Sequence, residues 1–295
     1  MDDANKFSNS DGNFKPTQKK LIMRKFILWT LAVIITLAAA VYQKMTGPTH
    51  EARGKITVAG ATYKYDLIRA HGGETDAPIS ITISDQNVSG VLVFKHYNVD
   101  EEWTEIPLKR TGEQLAAELP HQPPAGKLEY YLKLTYDGHI LTVPDNEHLV
   151  IRFRGAVPAW ALLPHILLIF TAMLVSTRAG LEALSRDGKP RNYALWAAGL
   201  LFLGGMIFGP IMQKFAFGEF WTGVPFGWDL TDNKTLIAMI GWIIAVIAGF
   251  KDRPARLWVA GASLLLMMIF SIPHSMMGSE LDYETGEVVS SGIGK

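Results

Sequence analysis

The sequence predicts a membrane α-helical bundle of five transmembrane helices, with an extracytoplasmic all-β sandwich inserted after the first helix. Three observations predict this fold. Hydrophobic residues make up 48% of the 295-residue chain and are concentrated in long blocks. Short alternating strands fill the longest gap between two blocks, and basic residues gather in every second connection. The predicted spans cover residues 26–42, 156–177, 193–212, 235–250 and 257–274.

Each block is long enough, alone or with a few neighbouring residues, to be considered as a membrane span. A helix needs about 20 apolar residues to cross a bilayer, and none of the five blocks contains Lys, Arg, Asp or Glu. The first block is interpreted as an uncleaved signal anchor. A cleaved signal peptide is the alternative, because Ala38, Ala39 and Ala40 form a small-residue pattern.

The basic residues predict the orientation of the helices. They are concentrated before the first span, between the second and third spans, and between the fourth and fifth spans. Because cytoplasmic loops carry the excess of Lys and Arg, the N-terminus is expected inside and the C-terminus outside, in a bacterial inner membrane. The predicted parts are a cytoplasmic tail (1–25), the first helix (26–43), the β-sandwich (44–155), a four-helix membrane domain (156–274) and an extracytoplasmic tail (275–295).

The segment between the first two spans has the pattern of a small β-sandwich. Apolar residues alternate with polar ones, as at Ile79, Ile81 and Ile83, and Asp137-Gly138 between two such runs is typical of a hairpin turn. The turn into a strand over 120–131 resembles immunoglobulin-like and fibronectin-III-like domains, a resemblance that implies a fold and not an activity. Trp103 beside two acidic residues is a candidate for a carbohydrate-binding or partner-binding face.

Two histidines and an aromatic loop are expected at the outer ends of the spans. His165 follows the start of the second span, and His274 ends the fifth. Both are candidate metal ligands, since polar side chains in membranes are costly and neutral imidazole is the commonest metal ligand. Single interfacial histidines also bond to helix ends, which is the plainer alternative.

The loop between the third and fourth spans offers flat apolar rings next to glycines. Trp221, Phe226 and Trp228 are candidates for binding a planar cofactor, and an interfacial aromatic belt is the alternative. Asp229 follows directly and is a candidate for orienting a ligating histidine. Asp232, three residues on, is the preferred cap of the next helix, and capping by Asp229 is the alternative.

This arrangement of a histidine, a loop ending in Trp-Asp and a second histidine resembles the haem-handling membrane proteins of cytochrome c maturation. The resemblance covers His165, Trp221, Trp228, Asp229 and His274. It implies that the loop cradles haem at the outer leaflet and that the two histidines ligate its iron. Copper is an alternative ligand, because two methionines follow His274 and thioethers suit copper(I). Binding of no cofactor at all is the other alternative.

Composition excludes several classes of function. A formal net charge of zero disfavours nucleic-acid binding, and the absence of cysteine excludes disulfides, iron–sulfur clusters and covalent haem attachment. No phosphate-binding loop, dinucleotide fingerprint or hydrolase motif is present, which disfavours an ordinary soluble-type enzyme. The leading hypothesis is a protein that binds haem for transfer or electron flow. The alternatives are a scaffold whose sandwich docks an extracytoplasmic partner, and a transporter or channel subunit.

Overall fold

The computed structural model describes residues 16–47, 49–185, 187–249, 255–273 and 278–290. Within these ranges, the chain forms an apolar helix, then a multi-stranded β region and then further apolar helices, in the predicted order. The helices are α1 (Pro16–Thr46), α2 (Ala159–Leu184), α3 (Arg191–Leu201), α4 (Gly209–Phe217), α5 (Leu230–Gly249) and α6 (Ala255–Ser271). A π-helical segment, Phe202–Phe208, joins α3 to α4 without a break.

Four helical stretches among the described residues are long and apolar enough to cross a membrane. They are Gln18–Thr46, Ala159–Leu184, Arg191–Phe217 and Leu230–Gly249. The apolar part of α6, Arg256–Ser271, is shorter. The structure therefore supports four of the five predicted spans by length and composition, and α6 coincides with the fifth.

Eleven strands form the described β region between α1 and α2. They are β1 (Ala52–Val58), β2 (Ala61–Leu67), β3 (Ala70–Gly72), β4 (Ala77–Thr82), β5 (Ser89–His96), β6 (Thr104–Pro107), β7 (Lys109–Thr111), β8 (Gln114–Leu119), β9 (Lys127–Tyr136), β10 (His139–Val143) and β11 (Leu149–Arg154). A six-stranded sheet has the order β3-β11-β9-β5-β6, with β10 also paired to β9. A three-stranded sheet has the order β4-β8-β7, and β1 pairs with β2 as a hairpin.

The two larger sheets bury their apolar residues in one shared core. Ile79 and Ile81 of β4 contribute from one sheet, and Leu132 and Ile151 contribute from the other. Alternate residues of β9 are buried, as the two-residue repeat of a strand requires. The predicted hairpin at Asp137-Gly138 is present and joins β9 to β10, and both of its turn residues have positive φ.

Small residues let the helices approach one another closely. A Cβ atom on Gly180 of α2 would lie 2.4 Å from Ser263 Oγ of α6, which itself donates a hydrogen bond to Ser176 O at 2.8 Å. Gly205 of the π segment also lies close to α5, since a Cβ there would lie 2.9 Å from Thr235 Cγ2. Larger side chains at either glycine would push the helices apart.

An ionic cluster ties three helices together at one end of the bundle, which we call the far end. Arg178 is fully buried and lies 2.7 Å from Glu182 one turn later on α2. Glu182 also accepts a hydrogen bond from Arg24 of α1 at 3.0 Å. The Arg178 guanidinium lies 4.5 Å from the ring centre of Tyr193 on α3. The opposite charges of Arg178 and Glu182 compensate each other in this buried site, although the contact between them lacks the geometry of a hydrogen bond.

The opposite end of the bundle, which we call the β-side end, contacts the β region. Gly155, directly after β11, donates a backbone hydrogen bond to Ala216 O of α4 at 2.9 Å. The C-terminal segment also lies here and forms two short strands, β12 (Ser279–Leu281) and β13 (Val288–Ser290). These two strands were not predicted from the sequence.

Candidate functional site

Seven polar residues are buried together where the β region meets the helices. They come from β11, from α4, from the loop after α4, from the first turns of α5 and from β12. We call them the junction cluster, and they are Arg152, Gln213, Thr222, Asp229, Asp232, Lys234 and Ser279, each no more than 9% exposed. Buried polar groups require hydrogen-bond partners, so the hydrogen bonds of these seven residues show which chain segments the cluster connects.

Asp232 holds the loop that precedes its own helix. Its Oδ2 accepts hydrogen bonds from the backbone N–H of Thr222 at 2.6 Å and of Gly223 at 3.1 Å. Gln213 of α4 donates a third at 3.0 Å. A Cβ atom on Gly223 would lie only 2.7 Å from Asp232 Cβ, so a glycine is required for this close approach. Asp232 therefore fixes the loop between α4 and α5.

Asp229 connects the start of α5 to the C-terminal segment. Its Oδ1 accepts hydrogen bonds from the N–H of Thr231 at 2.7 Å and of Asp232 at 3.3 Å, as an N-cap residue does. Its Oδ2 accepts hydrogen bonds from the N–H of Ser279 at 2.9 Å and from its hydroxyl at 3.0 Å. Asp229, the alternative cap in the sequence, therefore caps α5, and Asp232, the preferred one, does not.

Arg152 extends the cluster into the β region. It donates a hydrogen bond to Ser279 O at 2.5 Å, and its guanidinium lies 4.0 Å from the ring centre of Phe217. Burial lowers the pKa of Arg152 to about 10, although the charges of Asp229 and Glu280 act in the opposite direction. The guanidinium is therefore still protonated at neutral pH and compensates the nearby carboxylates.

His165 contacts the π-helical segment. Its Nδ1 lies 2.9 Å from Gly204 O, and since a carbonyl oxygen only accepts hydrogen bonds, this ring nitrogen carries a proton. In the neutral ring the lone pair is then on Nε2, which is the nitrogen able to ligate a metal. π-Helical turns occur frequently at functional sites. A backbone carbonyl often holds the second ring nitrogen of a ligating histidine in this way, and the same contact is made by a histidine that only bonds to a neighbouring helix.

A small cavity lies beside His165. Its volume is about 70 Å3, and its polar lining comprises His165, Gln213, Thr231, Asp232, Lys234 and Thr235. Lys234 Nζ donates a hydrogen bond to Ile272 O at 3.0 Å, at the end of α6. Cofactor pockets usually measure about 300 to 1,000 Å3, so this cavity has room for water or a small ion and not for a macrocycle.

The aromatic candidates lie outside that cavity. Phe226 is 82% exposed and Trp228 is 73% exposed, so both rings face outward. Trp221 is half-buried and donates a hydrogen bond from its indole N–H to Val224 O at 3.1 Å. None of these three rings lines the cavity beside His165.

The second predicted metal ligand, His274, lies outside the described residues, so its approach to His165 stays a prediction. Within the described ranges, no three or more of His, Cys, Asp and Glu are grouped so that they would hold a metal ion. The carboxylate of Asp229, predicted to orient a histidine, instead bonds to α5 and to Ser279.

A second group of side chains lies on the face of the six-stranded sheet that points away from the core. We call it the sheet-face cluster, and it comprises Lys95, Trp103, Glu129, Tyr131 and His148. Tyr131 and His148 stack with ring centres 4.9 Å apart. Trp103 meets the His148 ring edge-on at 4.8 Å. His148 Nδ1 lies 3.0 Å from Glu129, and Lys95 Nζ lies 5.1 Å from the Trp103 ring centre.

Comparisons of the chain with protein-family models, curated proteins and solved structures find no significant match. The proposed function therefore rests on the geometry of the junction cluster and the sheet-face cluster.

Proposed function

We propose that the chain is an integral protein of the bacterial inner membrane with five transmembrane helices and an extracytoplasmic immunoglobulin-like β-sandwich. Four helices support this by length and composition. The fifth helix, α6, is supported by the number of membrane crossings between two contacts with the β region. The chain leaves the β region at Gly155 and contacts it again at Glu280, whose carboxylate lies 2.8 Å from Lys127. Both contacts lie on one side of the membrane, so the helices between them cross an even number of times, and three candidates require α6 as the fourth.

The proposed function is that of a non-catalytic scaffold or accessory subunit whose β-sandwich docks an extracytoplasmic protein. One observation carries it: the buried charges at the β-side end are hydrogen-bonded to the backbone and to neutral side chains of neighbouring segments. Asp229, Asp232 and Arg152 all hold chain segments in place. Such a network fixes the orientation of the β region on the bundle, as a docking platform needs.

The sheet-face cluster is the proposed docking surface. Trp, Tyr and charged side chains at one site are typical of the residues that contribute most to protein–protein binding. Trp103 and Tyr131 are half-buried and His148 is exposed, so their ring faces are preformed by mutual packing. A partner with an apolar centre and charged groups at its edge would match this surface.

The test compares complexes purified in mild detergent from the native host. We expect one stoichiometric partner with the wild type and roughly 30-fold weaker binding of that partner by Tyr131→Ala/His148→Ala. The matched control is Lys109→Ala, an exposed residue on the other sheet, which should bind as the wild type does. Equal binding by all three proteins, or no partner with the wild type, would contradict the proposal.

Binding of haem or a metal ion is the second candidate function, and the contact between His165 Nδ1 and Gly204 O favours it. A haem does not fit the 70 Å3 cavity, so it would have to bind against the exposed rings of the loop. A small metal ion has room beside Nε2. The iron or metal would supply redox chemistry, and His165 would contribute one ligand.

Absorbance and metal analysis separate the two candidates. Protein purified from haem-replete cells is compared with His165→Ala and His274→Ala. A Soret band or a stoichiometric metal that both substitutions abolish supports cofactor binding. Colourless, metal-free protein that still binds its partner supports the scaffold alone.

A further inference from the structure

A separate pocket lies at the far end of the bundle, remote from both clusters. Its volume is about 300 Å3, and it opens between the connection from α2 to α3, the end of α5 and the start of α6. Its lining divides into a basic part and an apolar part. The basic residues are Lys189, Arg191 and Arg256, and the apolar ones include Leu195, Val246 and Val259.

The two parts differ in depth. Lys189 precedes α3, and Arg191 and Arg256 occupy the first turns of α3 and α6. Leu195 and Val259 lie about one turn, roughly 6 Å, farther along their helices. The charges therefore lie at the level of the helix ends, and the apolar walls lie deeper within the bundle. This is the polarity of a membrane lipid, with its head group at the surface and its chains inside.

The charge of the pocket lining indicates which kind of head group would bind. The described lining contains three cationic residues and no acidic one. Arg256 Nε donates a hydrogen bond to Ala183 O at 3.0 Å, which holds its guanidinium at the mouth of the pocket. The N-terminus of α3 adds positive potential, since it starts after Pro190 without a side-chain cap or an acidic first turn.

We propose that this pocket binds the phosphate head group and first acyl carbons of an anionic phospholipid. Basic pockets between membrane helices recognise such head groups, and the volume is at the lower end of the usual range for ligand sites. The lipid would fill the gap between α3, α5 and α6 on the side where the short connections between helices are richer in basic residues. The proposal rests on the proposed insertion of the helices in a membrane, and not on the proposed docking of a partner by the β-sandwich.

Native mass spectrometry of the full chain in detergent tests the proposal with added phosphatidylglycerol or phosphatidylcholine. The wild type should retain one phosphatidylglycerol in preference to phosphatidylcholine. Lys189→Gln/Arg191→Gln should weaken that binding roughly 30-fold, as expected for the loss of two surface charges. Lys44→Gln, an exposed basic residue at the β-side end, is the matched control and should bind as the wild type does.

A second variant tests the apolar part without changing charge. Leu195 is 42% exposed, so a tryptophan is tolerated there, and Leu195→Trp should fill the groove and lower lipid retention. Equal retention of both lipids by the wild type, or unchanged retention by both variants, would overturn the proposal. Displacement of the lipid by equimolar glycerol phosphate would also overturn it, because a soluble ligand would then occupy the site.

Discussion

Asp229 at the start of α5 accepts two hydrogen bonds from Ser279 of β12, one from its N–H at 2.9 Å and one from its hydroxyl at 3.0 Å. The two residues are fifty positions apart, and Ser279 is fully buried. Arg152 of β11 donates a hydrogen bond to the carbonyl oxygen of the same serine. One residue of the C-terminal segment thus links the β region to the helices.

Removal of the Ser279 hydroxyl is expected to loosen this link. Ser279→Ala leaves Asp229 Oδ2 with one donor fewer in a buried site, which costs about 1 to 3 kcal/mol. Thermal unfolding in detergent should start at a lower temperature, and protease should cut the C-terminal segment sooner. Ser89→Ala, at an exposed position, is the control, and equal behaviour of the two variants would refute the role of Ser279.

The ionic cluster at the far end should be sensitive to loss of its carboxylate. Glu182→Gln leaves the fully buried Arg178 without a charged partner, a change that typically costs about 3 to 5 kcal/mol. Glu118→Gln, on an exposed position of β8, should cost little. Unfolding in detergent measures both, and an unchanged midpoint for Glu182→Gln would show that Arg178 is compensated otherwise.

Glu101 should make the stability of the β region depend on pH. Burial raises its pKa, but hydrogen bonds from the His96 backbone and ring and the nearby positive charges outweigh burial and hold the pKa below the ordinary value. A lowered pKa in the folded state stabilises the protein above the unfolded pKa of about 4.3, and this stabilisation is lost as pH falls through the lower folded value.

Glu101→Gln tests this dependence. At pH 7 the substitution should destabilise the protein by about 1 kcal/mol, a modest value because the pair is partly solvated. Near pH 3 the two proteins should unfold at similar temperatures. A constant difference from pH 7 to pH 3 would mean that the Glu101 charge does not contribute.

Periodicity predicted most of the elements because their burial is repetitive. The alternation at Ile79, Ile81 and Ile83 located β4, and Asp137-Gly138 located the hairpin between β9 and β10. The helix ends were harder to predict. α5 begins at Leu230, before the predicted span at 235, because Asp229 caps it and because Asp232 and Lys234 in its first turns are buried with hydrogen-bond partners.

The junction cluster could be predicted only in part. Asp229 and Asp232 were recognised as polar groups at a helix start. Arg152, Gln213 and Ser279 were missed, because each is a single polar residue whose partner lies far away in the sequence. The pattern at Arg152 was misleading, because an arginine between the apolar Ile151 and Phe153 is expected to face solvent, whereas the structure buries it against Ser279.

Single-cysteine labelling tests the central claim most directly, namely that the β region and the C-terminal segment lie together outside a five-helix bundle. The chain has no native cysteine, and Glu147, Asp187 and Thr285 are exposed positions in the β region, at the far end and in the C-terminal segment. An impermeant maleimide applied to intact spheroplasts should label cysteine at 147 and at 285, and should label cysteine at 187 only after lysis. Labelling at 187 before lysis, or at only one of 147 and 285, would contradict the account.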